Sequence, residues 1–192
     1  MAISYPLTFP QINNESLIEK MTVRLLSSSG LSESPYTYRQ QVNNFGGARW
    51  EADVTLRPLT QHEAKAVKGF FASLKGRVGT FRLSNPTDTA SGQANLNGAA
   101  SVGDTELSIT IGNGSIDAGD IFSLNNRIYM CLTTRNTSGD IDITPPIKEG
   151  VSDGSTVSLS APVGTWRLAD SEVEWDIDKA SRFGFSFSCV EA

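Results

Sequence analysis

From Arg49 to Arg57 apolar and polar residues alternate without a break. Trp50, Ala52, Val54 and Leu56 take one parity; Arg49, Glu51, Asp53, Thr55 and Arg57 take the other. Side chains of an extended strand point to opposite faces in turn, so this segment is a strand with one buried and one wet face. As a helix, with about 3.6 residues per turn, it would scatter its apolar residues round the cylinder. Met21, Val23 and Leu25 repeat the pattern against Thr22 and Arg24. A preceding segment, Tyr36 to Val42, reaches the Arg49 strand through Asn43-Asn44-Phe45-Gly46-Gly47. Asn and Gly tolerate positive φ, so a hairpin reversal is predicted at that cluster.

One helix interrupts the strands. Thr60 and Glu63 have capping-box spacing, and Leu59 stands where a hydrophobic staple would reach Ala64. Ala64, Val67, Phe71 and Leu74 then recur at helical spacing, and Gly76 follows as a residue suited to a left-handed close. The helix is predicted over 60–75, its apolar stripe covering the sheet.

After it, Gly79-Thr80-Phe81-Arg82-Leu83 recurs as Gly164-Thr165-Trp166-Arg167-Leu168, with one aromatic exchanged for another. Between the copies the chain turns rich in Gly, Ser, Thr, Asn and Asp. Short apolar runs lie at 107–111, 121–124, 128–132, 141–143 and 157–159. Turn signals at Gly112-Asn113-Gly114, Asn125-Asn126 and Ser152-Asp153-Gly154 separate them. The expected fold is mainly β. Residues 1–85 and 164–192 form a sandwich- or barrel-like domain with the helix, and 86–163 a small inserted OB-like barrel. Trp50, Val54, Phe71, Phe81, Trp166 and Trp175 are expected in the core of the first.

Enzyme chemistry finds no foothold. The single histidine, His62, stands beside the helix cap, and no Gly-x-Ser-x-Gly elbow or phosphate loop occurs. Cys131, Cys189 and one histidine give no zinc spacing, so no cofactor or metal is expected. Both cysteines lie in apolar surroundings and read as buried free thiols. A net charge of −5 opposes a nucleic-acid binder, which needs Lys and Arg to replace phosphate counterions. No secretory signal and no apolar stretch of bilayer length is present, so synthesis in the cytoplasm without membrane insertion is expected. Asp170, Glu172, Glu174, Asp176 and Asp178 put acids at alternate positions, with Val173, Trp175 and Ile177 on the other face. Glycosidase carboxylates come from separate elements and calcium loops have another spacing, so a solvated strand face or an acidic wall in an assembly remains.

Several segments together resemble the distal tail protein family of long-tailed bacteriophages. They are Trp50-Glu51-Ala52-Asp53-Val54, the two Gly-Thr-aromatic-Arg-Leu copies, Gly119 to Leu124, Thr144-Pro145-Pro146-Ile147 and Trp175-Asp176-Ile177-Asp178. The resemblance implies a structural virion protein at the tail tip that forms a ring, usually a hexamer. Its neighbours would be the tail tube protein, the baseplate hub protein and the tape measure protein, with DNA passing only in transit. In such a ring Glu172, Glu174, Asp176, Asp178, Glu51 and Asp53 are expected to face the channel; the rival is pairing with basic residues such as Arg49, Arg57 or Arg82. The alternative function is a lectin-like carbohydrate-binding β-module of a receptor-binding apparatus.

Overall fold

A computed structural model describes residues 3–12, 15–84, 92–177 and 182–192. The fold is mainly β, with two sheets and one helix. In chain order the elements are β1 (Leu7–Thr8), β2 (Ile18–Glu33), β3 (Gln40–Leu56), α1 (Gln61–Leu74), β4 (Thr80–Ser84), β5 (Gly92–Leu96) and β6 (Glu106–Gly114). There follow β7 (Ile121–Leu124), β8 (Arg127–Cys131), β9 (Gly139–Thr144), β10 (Thr156–Val157), β11 (Val163–Leu168), β12 (Glu174–Ile177) and β13 (Phe183–Glu191). Among the described residues no helix is long and apolar enough to cross a membrane.

The first sheet runs β1-β4-β11-β13-β3-β2, with β12 also on β13. Its pairing explains the repeated motif: β4 and β11 lie antiparallel, Phe81 opposite Trp166 and Arg82 opposite Thr165. Trp50, Ala52, Val54 and Leu56 are all buried, as the alternation requires, and Phe81, Trp166, Phe185 and Phe187 join them. Against this face packs α1, through Ala64, Val67, Phe70, Phe71 and Leu74. Phe71 meets Phe187 edge-on at 5.1 Å and Phe70 meets Phe81 at 5.6 Å, arrangements that aromatic quadrupoles favour.

The helix begins as its spacing indicates. Glu63 accepts from the Thr60 amide at 2.8 Å, while Thr60 Oγ1 accepts from the Glu63 amide. The left-handed closing position belongs to Lys75, φ 52°, with Gly76 following at φ 65°, so the helix stops one residue short of the expected bound. Arg57 adds an ion pair to Glu63 at 2.7 Å. That guanidinium, then the Thr60 amide and hydroxyl, hold the Glu63 carboxyl down to about 2. A carboxylate with a depressed folded pKa contributes stability that is full above its unfolded value, here 4.5, and is lost as pH falls toward 2. The stability advantage of the native chain over Glu63→Gln should therefore shrink across that interval, as paired thermal melts at several pH values will show.

The second sheet runs β10-β5-β6-β9-β8-β7, and a bridge between Ser123 and Ser158 nearly closes it into a barrel. Asn125 and Asn126, at φ 53° and 60°, make the tight two-residue turn that joins β7 to β8. Gly112-Asn113-Gly114 is not a turn; it continues β6, where Gly114 pairs with Gly92. The hairpin β7–β8 is buried on both sides. Phe122, Leu124, Tyr129 and Cys131 point into the barrel core, whereas Ile121 and Ile128 belong to the core of the first sheet. Cys131 and Cys189 are free, buried and in different cores. Burial raises the Cys189 thiol to about 12, which leaves it protonated and inert.

Two further expectations are corrected. The hairpin reversal lies at Ser34–Arg39, closed by the Ser34 amide on Arg39 O at 3.0 Å, and not at Asn43–Gly47. There β3 continues straight through, and the Gly and Asn residues instead serve an irregularity opposite Ser27–Ser29. Asn44 Oδ1 accepts from the Gly46 amide, and Gly46 stands at φ 72°. Trp175 is also not in the core: it is 44% exposed. Its strand β12 pairs β13 at Phe183–Ser186, where the face is flanked by α1 but not roofed. Lys68 Nζ lies 5.0 Å from the indole ring.

Candidate assembly surfaces

Three features bear on function, and each follows from how the strands extend. The first is the polar outer face of the large sheet. By alternation it carries Arg49, Glu51, Asp53 and Thr55 of β3, Ser186 and Ser188 of β13, and Glu174 and Asp176 of β12. Between Leu168 and Glu174 the chain sets residues 169–173 opposite only Phe187 and Ser188 of β13, so it bulges. The bulge rests on the helix end: a Cβ added at Gly76 would sit 3.1 Å from Ser171. It leaves a pit of about 360 Å³ lined by Asp53, Asp170, Glu172, Glu174, Ser186 and Ser188.

The acids expected to act together divide here. Asp53 is bound by Arg24 at 2.6 Å and by the Ser188 hydroxyl at 2.6 Å, and these two, Ser188 first, hold its carboxyl below the usual range. Glu51 pairs with Arg49 at 2.7 Å. Glu172, Glu174 and Asp176 make no ion pair among the described residues. Asp178 lies outside the described residues. The rival expectation of basic partners thus applies to Glu51 and Asp53, with Arg24 a partner that its place two strands from β13 concealed. Arg57 serves Glu63 instead.

The second feature is an arm. Strands β2 and β3 stay paired well past the body, from Ser27 opposite Ala48 to Glu33 opposite Gln40. Every side chain from Pro35 to Gly47 is exposed, including Tyr36 (92%), Tyr38, Val42 and Phe45. Leu31, opposite Val42, is exposed too. An isolated two-stranded ribbon is marginal in water, and a free edge invites pairing with another chain. Among the described residues the outer edge of β2 has no neighbour in the sheet. The sequence signal for this arm is the segment Tyr36 to Val42, whose spacing from Arg49 suggests a hairpin turn at Asn43–Gly47 rather than a continuous strand.

The third is the joint between the sheets. Glu191 at the end of β13 is 1% exposed in its side chain and takes Lys148 Nζ at 2.6 Å, with Arg127 Nη1 at 3.7 Å. The Trp50 amide donates to the same carboxylate at 3.3 Å, and Trp50 Nε1 donates to Ile128 O at 2.9 Å. Arg127 also binds Glu149 at 2.6 Å.

His62 is exposed on the first turn of α1, and among the described residues no group of three or more His, Cys, Asp or Glu is placed to hold a metal ion. The barrel's two aromatics, Phe122 and Tyr129, are both buried. No protein-family model matches the chain, and no curated protein matches it.

Proposed function

We propose that the chain is a structural assembly protein that closes into a ring through its arm, as the tail-tip ring protein its motifs resemble would do. The arm carries this reading. A projecting ribbon with five large apolar side chains in water is a liability for a monomer and an asset for an oligomer, because a neighbour covers both faces and edge. Cyclic symmetry is the common way to satisfy every such surface at once. In a tail the ring would sit between tube and hub, with the genome passing through it. Glu172, Glu174 and Asp176, which make no ion pair among the described residues, suit a channel wall that repels phosphate. Glu51 and Asp53 are neutralised and contribute less. Both aromatics of the barrel are buried, which leaves it no stacking platform for a sugar and disfavours the lectin-like alternative.

The arm tests this directly. Replacing residues 28–47 by Asn-Gly joins Ser27 to Ala48 through a two-residue turn that matches their register. The body keeps its two cores, so the variant should melt close to the native chain. Sedimentation should find the native chain as a ring and the shortened chain as a monomer. An unchanged assembly would show that the ring is built elsewhere.

A further inference from the structure

We infer that the arm tip of one copy docks in the groove at the arm base of the next, with Arg39 facing the Glu106–Asp142 pair. This rests on the ring reading and adds the contact that closes it. The groove lies between the base of the arm and the barrel and has a volume of about 510 Å³. Gly46 and Gly47 give it a floor without side chains; a Cβ at Gly46 would meet nothing within 4 Å. Leu132, 52% exposed, and Pro146 form an apolar wall, and Thr144 offers a hydroxyl. That mixture suits a tyrosine, which brings an apolar ring and a polar tip.

Charge selects the same partner. Glu106 stands directly opposite Asp142 on neighbouring strands, and Asp140 lies two residues along on the same side. Like charges placed opposite one another disfavour a sheet. Among the described residues no ion pair relieves Glu106, Asp140 or Asp142. Arg39, beside Tyr36 and Tyr38 at the tip, is exposed and equally without an ion pair. An arm cannot serve its own groove. Its tip stands about seven strand residues, roughly 23 Å, beyond the base. The occupant is therefore a second copy, and a tip-to-base contact repeated from copy to copy is heterologous, the kind that builds a ring where its rotation closes.

The test is a charge exchange in the full chain. Arg39→Glu and Glu106→Arg should each raise the concentration needed for half-assembly by about tenfold, more at low salt than at high. The double variant should return most of the way to the native value, since each new charge again meets its opposite. Leu132→Glu, at an exposed position that belongs to neither core, should weaken assembly with no rescue by either exchange. Thermal melts check that each variant is folded. A native ring that neither single exchange weakens overturns this docking and leaves the ring reading standing. So does weakening without mutual rescue. A native chain that stays monomeric at every concentration overturns both.

Discussion

Replacing Glu191 by alanine is expected to lower the melting temperature by about 10 °C. Breaking a buried ion pair from one side costs about 3–5 kcal/mol, because the remaining charges lose their partner in a place water reaches poorly. In a chain of this size each kcal/mol moves the midpoint by about 2–4 °C. The side chain of Glu191 is 1% exposed, while those of Lys148 and Arg127 are 29% and 17% exposed. The two cations can therefore turn partly toward water, which places the cost at the lower end of that range. Glu191→Gln keeps an acceptor for the Trp50 amide and should cost less than half as much. Since the cluster joins β13 to β8 and to the segment after β9, the loss should also quicken amide exchange along the β7–β8 hairpin. A midpoint shift under about 2 °C for the alanine variant would mean that the joint is held by packing alone.

The two glycines of the repeated motif give the second large effect, by different routes. A Cβ at Gly164 would lie 2.5 Å from Ile128 Cδ1 and 2.8 Å from Trp166 Nε1. A Cβ at Gly79 would lie 2.8 Å from Leu74 O and 2.9 Å from Leu74 Cα, backbone atoms at the end of α1. Overfilling a packed site costs about 1–3 kcal/mol. At Gly164 part of that cost is removable, since Ile128→Val deletes the nearest atom. Chemical denaturation of Gly164→Ala, Ile128→Val and the pair should show the pair less destabilised than the sum of the singles by about 1 kcal/mol. Gly79→Ala should have no such partner, because shortening Tyr5, whose ring is also close, leaves the helix backbone in the way. Additivity at Gly164 and Ile128 would contradict the close approach of β8 to β11.

These glycines illustrate what the sequence made readable and what it did not. The repeated Gly-Thr-aromatic-Arg-Leu was visible as a repeat, and its copies prove to be partner strands with Phe81 on Trp166. The strand Arg49–Leu56 and the capped helix were also legible, because periodicity and capping are local. The arm was not. Asn-Phe-Gly-Gly suits a turn and a bulge equally, and only the partner strand decides; β2 runs past it to Glu33, so the cluster became an irregularity within a continuous strand. Trp175 had the right parity for burial but lies where the helix gives no roof. The shared wall β7–β8 left a trace in its consecutive apolar residues, Ile121-Phe122 and Ile128-Tyr129-Met130, since a strand covered on both faces need not alternate. Among the acids, parity placed Glu174 and Asp176 on one face with Asp53. Asp53 is neutralised across strands by Arg24 and Glu51 along its own strand by Arg49, whereas no ion pair holds Glu172, Glu174 or Asp176 among the described residues, a division that parity does not show.

The most direct measurement is electron cryomicroscopy of the assembled protein at a resolution that traces strands. The expected image is a closed ring in which each arm lies on the neighbouring copy and the face bearing Glu172, Glu174 and Asp176 lines the central opening. A monomer, or a ring whose arms hang free in solvent with those carboxylates turned away from the axis, would contradict it.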